Sequence, residues 1–249
     1  MARVLFFNPP SVEHIYHATN VSIAAPSYPS LSLATLAGSL VSSHEVRIVD
    51  LEFSQDVFVT LSDEIDGFRP DVIAFSVNTP VYNIVREMAY RIKERYAAAK
   101  IIVGGVHITA LPEEAGKESC FDVLAIGEAD KTMGELMSLS SQKEVAGIMY
   151  KNEVSGGFVA TRTREHLSDL DTLSLPAWNL FRLQRYRNSR ISSRLNPVGL
   201  IETSRGCAFQ CVFCSKLTFG NRYRAKSPKR VVDEMEYMLK CGFREIHRR

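Results

Sequence analysis

The chain has 249 residues, 45% of them hydrophobic and 23% charged, with a formal net charge of +2. That apolar content supplies one large core or two smaller ones. The near-neutral balance gives no argument for a nucleic-acid or membrane-surface partner, and no apolar run reaches the ~18 residues of a membrane span.

The N-terminal run Val4-Leu5-Phe6-Phe7 is too short for a secretory signal, and Pro9-Pro10 ends it, so a cytoplasmic location is expected. Residues 4–7 form a continuous apolar stretch stopped by Asn8, as a buried parallel strand would be. Residues 31–41 have helical spacing, with Leu33, Leu36, Ala37 and Leu40 on one face. Residues 45–49 read as a second strand, 57–65 as a helix, and 72–77 as a third strand after Pro70-Asp71. A long amphipathic helix is predicted over 81–96, burying Ile84, Val85, Met88, Ile92 and Tyr96. Residues 101–103 form a fourth strand running into Gly104-Gly105. Residues 123–126 form a fifth, followed by Gly127-Glu128-Ala129-Asp130 and a helix to about Ser138. Strands alternating with helices predict an α/β fold with a doubly wound parallel sheet over residues 1–142.

Ligands of such sheets bind at the carboxyl ends of the strands. Those ends carry Asn8-Pro9-Pro10-Ser11, Ser76 to Pro80, Gly104-Gly105-Val106-His107 and Gly127 to Asp130. Glycines there let a ligand approach the backbone, and free amides can receive phosphate oxygens. No G-x-G-x-x-G follows the first strand, which disfavours a nicotinamide site. From residues alone, this rim either takes a flat or phosphate-bearing cofactor or simply makes tight turns.

Residues 143–196 read as a hairpin and connector. Residues 147–150 and 158–161 flank the turn. An extended stretch over 167–178 ends at Trp178, the only tryptophan and a packing anchor. Residues 186–194 are basic and polar and are expected to be exposed. Residues 198–203 then form a strand that leads into a loop. Ser227-Pro228 starts a helix, Gly242 ends it, and a second strand opens at Arg244.

The loop holds Cys207, Cys211 and Cys214 in a C-x3-C-x2-C spacing. Three thiolates on one tight loop can hold three irons of a cubane 4Fe-4S cluster and leave the fourth iron open. A structural zinc site is the alternative, with Cys241 or His247 as the fourth ligand. A disulfide fits less well, because five cysteines are an odd number in a chain with no secretory signal. Cys120 and Cys241 read as small buried apolar residues. Arg205 and Lys216 place positive charge nearby, which would ease cluster reduction or would be plain surface charge.

The stretch Gly206 to Cys214 is identified as the radical S-adenosylmethionine (SAM) signature. The resemblance implies that SAM chelates the open iron through its amino and carboxylate groups. One electron from the reduced cluster then generates a 5′-deoxyadenosyl radical. It also implies that Phe213 lies beside the adenine of SAM, and that a low-potential donor such as flavodoxin or ferredoxin supplies the electron. The upstream segments resemble, in order, the Rossmann-like cobalamin-binding domain that precedes many radical SAM domains. Asn8-Pro9-Pro10, the helix over 31–40, Pro70-Asp71, Val103 to Pro112 and Gly127 to Asp130 carry that resemblance. By it, Ser76, Thr79, Gly104, Gly105, His107, Gly127 and Glu128 are the implied cobalamin contacts.

The chain departs from the family at two points. Ala129 stands where a glycine is frequent. No D-x-H-x-x-G follows the first strand, so His14 and His17 read as loop residues rather than cobalt ligands. In complete relatives the chemistry is radical-based methyl transfer or ring formation on a small molecule or peptide. Residues 197–249 hold one βα unit of a partial (β/α) barrel and the start of the next strand, where a full barrel takes ~250 residues. The sequence reading is therefore a truncated or frameshifted product, or a fragment, of such an enzyme. A binding module that holds cobalamin without catalysis is the other functional reading.

Overall fold

Five short apolar runs become the parallel strands of one sheet. They are β1 (Arg3–Asn8), β2 (Glu45–Asp50), β3 (Val72–Ser76), β4 (Lys100–Gly104) and β5 (Val123–Ala125). The computed structural model describes residues 1–11, 26–139, 141–152, 154 and 156–248, so His14 and His17 lie outside the described residues. Helices connect the strands: α1 (Leu31–Gly38), α2 (Val57–Phe68), α3 (Tyr82–Arg95), the short α4 (Val106–Ala110) and α5 (Pro112–Ala115), and α6 (Asp130–Ser138).

The sheet order places β2 and β3 on opposite sides of β1, with β4 and β5 beyond β3. The chain thus reverses direction of travel between β1 and β3, the crevice where doubly wound sheets bind ligands. Strands β6 (Ile148–Lys151) and β7 (Phe158–Ala160) add antiparallel to β5 and complete seven strands. The hairpin read as part of the connector is therefore hydrogen-bonded onto the edge of the main sheet. Its backbone groups find partners there that an isolated hairpin would lack.

Both sheet faces are buried, which is why the strands are apolar without alternation. Leu5, Phe7, Ile73, Phe75 and Ile101 point to one face, under Leu61 and Ile65 of α2 and Val85, Met88 and Ile92 of α3. Val4, Phe6, Ala74, Ile102 and Val123 point to the other. There α1 and α6 share the cover with Trp178, Phe181 and Tyr186 of the connector, and with Met238 and Phe243 further on. The buried stripe of α3 includes Tyr82 and Ala89 as well, while Ile84 and Tyr96 are only partly covered.

Residues 186–194 correct an expectation. Tyr186, Asn188 and Ser193 are buried. The Tyr186 hydroxyl donates to Asp50 Oδ2 at 2.6 Å, and Asn8 Nδ2 donates to Asp50 Oδ1 at 2.9 Å. Burial raises the Asp50 carboxyl above its ordinary pKa, and those two hydrogen bonds pull the other way. Polar composition misled because an aromatic ring with one hydroxyl can be buried once that hydroxyl is paired. The anchor role of Trp178 holds: its ring meets Phe243 edge-on at 5.1 Å, fully buried.

Beyond the connector, β8 (Val198–Ile201) and β11 (Glu245–Arg248) pair in parallel, joined by α7 (Pro228–Cys241). Ser227 caps α7 by accepting from Arg230 N, Pro228 fills the first turn, and Gly242 at φ 106° ends it. Two parallel strands joined by one helix form a single βαβ unit. Two short strands, β9 (Ser204–Arg205) and β10 (Arg224–Ala225), pair antiparallel and pinch the base of the cysteine loop.

Candidate functional site

A cavity of about 470 Å³ opens at the carboxyl ends of β1, β3, β4 and β5. Asn8, Ser76, Gly104, Gly105 and Gly127 line it from the sheet side. Leu33 and Leu36 of α1, with Ser30 just before it, form one flank. The remaining wall comes from the far end of the chain: Glu202, Ser204, Arg205, Thr218 and Phe219, which bracket the three cysteines in sequence. The cavity therefore reaches from the sheet rim to residues that flank the cysteine loop, while the three cysteines themselves do not line it.

Local geometry explains the rim. Gly105 sits at φ 107°, and a Cβ there would stand 2.6 Å from the Val77 carbonyl oxygen. Only glycine lets the chain after β4 pass so close to the end of β3. Gly127, at φ 78°, donates its backbone N–H to Thr109 Oγ1 at 3.0 Å, and the space beyond its Cα is open. A large flat ligand could approach that backbone closely. The small, open, amide-bearing rim fits the cobalamin reading.

The structure divides the implied cobalamin contacts. Ser76, Gly104, Gly105, Gly127 and Glu128 reach the cavity. Thr79 and His107 do not line it. The His107 ring is buried beneath the rim, 4.1 Å from the Tyr82 ring, with Nδ1 3.2 Å from Thr79 Oγ1 and no partner for Nε2 among the described residues. Burial holds His107 below the ordinary histidine pKa, with Glu114 pulling weakly the other way.

Glu128 is buried, and its carboxylate is fully engaged. Arg224 donates to Oε1 at 2.5 Å and to Oε2 at 3.1 Å, and the Leu167 amide donates to Oε2 at 3.0 Å. Arg205 is held similarly, by both oxygens of Asp130 at 2.6 and 3.1 Å and by Glu202 at 2.7 Å. Burial opposes the charge on Arg205, but Asp130 and Glu202 outweigh it and keep the guanidinium firmly protonated. The positive charge assigned to the cluster from sequence is thus neutralised locally for Arg205, which is neither free nor at the surface. Sequence reasoning missed Arg224 as a site residue. The available signal was two arginines flanking the cysteine loop and two acids two residues apart.

Cys207, Cys211 and Cys214 are unpaired thiols on an exposed loop. Phe213 between them is 90% exposed and stands apart from the cavity. Among the described residues, no three histidine, cysteine or acidic side chains converge on a metal-sized point. The donor chemistry nevertheless suits a cluster, which supplies its own iron and sulfide: three accessible thiols from eight consecutive residues. The two residues read as a fourth zinc ligand both have other neighbours. His247 is bound to Glu245 at 2.7 Å and Tyr28 at 3.3 Å, and Cys241 lies against Tyr237. Cys120 is buried, which pushes its thiol up to about 12. No helix among the described residues is long and apolar enough to cross a membrane.

Comparison with known proteins agrees with this geometry. A B12 binding domain matches residues 19–137. An uncharacterized methyltransferase of Pyrococcus horikoshii is 31% identical over 88% of this chain and 48% of its own length. The anaerobic magnesium-protoporphyrin IX monomethyl ester cyclase of Rubrivivax gelatinosus is 30% identical over 96% of this chain and 43% of its own. A hopanoid C-3 methylase of Methylococcus capsulatus is 28% identical over 85% of this chain and 41% of its own. The fold is shared with the cobalamin-dependent SAM radical enzyme OxsB, at a TM-score of 0.75 and 20% identity over 97% of this chain and 32% of that one. The chain spans less than half the length of these relatives. Residues 19–137 thus match a B12 binding domain, and over most of its length the chain is similar to methyltransferases and a cyclase and shares the fold of part of a cobalamin-dependent SAM radical enzyme.

Proposed function

We propose that this chain is the cofactor-holding part of a cobalamin-dependent radical SAM enzyme for methyl transfer or related C–H chemistry. The observation that carries this reading is the single cavity walled by the carboxyl edge of the sheet and by residues on both sides of the cysteine loop. Ser76, Gly104, Gly105 and Gly127 would hold cobalamin, and Cys207, Cys211 and Cys214 would hold a 4Fe-4S cluster with SAM beside Phe213. When bound, these groups supply a methyl carrier, a low-potential electron and a carbon-centred radical. The chain's own contribution is placement. The glycine backbone admits a flat ligand, α1 walls it in, and Glu202, Arg205 and Phe219 bring the cysteine loop to the same opening. A small-molecule or peptide substrate and a flavodoxin- or ferredoxin-type donor complete the reading, in the cytoplasm.

The exposed, unconverged thiols favour one other reading, a cobalamin-binding module without radical chemistry. Anaerobic reconstitution with iron, sulfide and hydroxocobalamin separates the two. After desalting, four irons and one cobalt per chain support the enzyme reading. Cobalt without iron supports the module, and neither metal overturns both.

A further inference from the structure

Arg205 and Arg224 are opposite each other in the β9–β10 pairing that closes the base of the cysteine loop. Both are buried. Two guanidinium groups facing across a strand pair repel, and burial strengthens the repulsion. The base can therefore close only where negative charge is provided. The turn after β5 provides it. Glu128 takes Arg224 and Asp130 takes Arg205, in adjoining pairs; Arg205 Nη1 also stands 3.9 Å from Glu128 Oε2.

Further contacts converge there. Arg224 also donates to the carbonyls of Leu167 at 2.6 Å and Phe219 at 2.9 Å, tying connector and cysteine loop to one side chain. Gly206, at φ 79°, lies so close that a Cβ would meet the Arg222 carbonyl oxygen at 2.1 Å. The base is thus narrow, buried and charged, while the loop it carries is exposed. The same turn contributes Gly127, Glu128 and Asp130 to the cavity wall.

We propose that Glu128 and Asp130 are an electrostatic latch that closes the base of the cysteine loop onto the cavity rim, so that the sheet sets where the three thiols stand. Glu128 is then a positioning residue, acting through Arg224, and a ligand in the cavity is coupled to the loop through this turn. That coupling rests on the cofactor reading above; the latch itself does not.

Hydrogen exchange on the whole chain tests it. The Lys226 amide, bonded to Thr203 O at 2.9 Å across the base, is the reporter. Glu128→Gln should raise exchange in peptides spanning 203–226 about tenfold while β1 and β3 stay protected. Glu128→Asp, which keeps the charge facing Arg224 but is smaller, should stay better protected there than Glu128→Gln, which keeps the size but loses the charge. A merely space-filling role would give the reverse order. Unchanged exchange at the base in Glu128→Gln, or that reverse order, overturns the latch. If Glu128→Gln loosens β1 and β3 too, Arg224→Gln decides from the other side: an open base over an intact sheet supports the latch, and a protected base overturns it. Hydroxocobalamin added to the unmodified chain should slow exchange at 203–226, and this slowing should vanish in Arg224→Gln, which lies outside the cavity wall, while cobalt is still retained. Cobalt retained with the slowing unchanged removes the coupling. No cobalt retained by the unmodified chain removes the cofactor reading and leaves the latch to the unloaded arms.

Discussion

The sheet and the cysteine-bearing segment are built on different physical terms. In the sheet region, strands are buried on both faces, and α1 and α2 carry their own side-chain caps, as where Asp56 accepts from the amides of Phe58 and Val59 at the start of α2. Its cohesion is apolar and dispersed over many residues. The segment from Val198 onward has a thin core: Val198, Ile201, Met238 and Phe243 are buried, while Val232 and Leu239 of α7 are more than half exposed. What fixes it is a few strong directional contacts, the arginine–carboxylate pairs and the cap of α7, together with Trp178 packed between the two regions. The first region is a scaffold that tolerates the loss of any single polar contact. In the second, one charge decides whether a loop is placed, because a buried ion left without its partner is costly where few apolar contacts compensate.

Four experiments break or sharpen this comparison. The largest effect is all-or-none. Replacing Cys207, Cys211 and Cys214 together by alanine should abolish iron incorporation and leave the thermal midpoint unchanged, because all three are exposed and outside both cores. Iron retained by this variant would move the metal site elsewhere, and a large drop in midpoint would mean that the loop supports the fold.

Trp178→Ala comes next. A fully buried aromatic that touches Phe181 and Phe243 should cost about 3–5 kcal/mol in urea unfolding. Because Trp178 joins the regions, the unmodified chain should unfold in one transition and the variant in two. A single transition in both would show that the regions are one cooperative unit without this contact.

Ser227→Ala should cost about 1 kcal/mol, the ordinary value of an N-cap, and the loss should appear only in exchange of α7 and β11. An equal loosening of β1 would contradict the division into two regions.

The smallest effect is a slope with pH. Burial depresses the His107 pKa in the folded chain, so the unfolded chain takes up a proton near 6.5 that the folded chain refuses. The stability due to neutral His107 is present above that value and is lost as pH falls from 6.5 toward the depressed folded value. His107→Gln should flatten unfolding free energy between about pH 7.5 and 5.5 relative to the unmodified chain. An unchanged slope would mean that the ring is hydrated and titrates freely.

The sequence by itself determined the elements. Apolar runs bounded by Asn-Pro, Pro-Asp and Gly-Gly locate all five parallel strands within about two residues, because strand periodicity and turn chemistry are local. The C-x3-C-x2-C spacing names the donors for the same reason: the three thiols lie within eight residues of chain. Tertiary structure alone decided the rest. It put β6 and β7 on the main sheet and buried Tyr186 against Asp50. It also separated Thr79 and His107 from the cavity that Gly104, Gly105 and Gly127 line. Above all, it paired Glu128 with Arg224 across 96 positions and Asp130 with Arg205 across 75. Contacts at such separation leave no periodicity and no motif, since they depend on which surfaces meet after the sheet has formed.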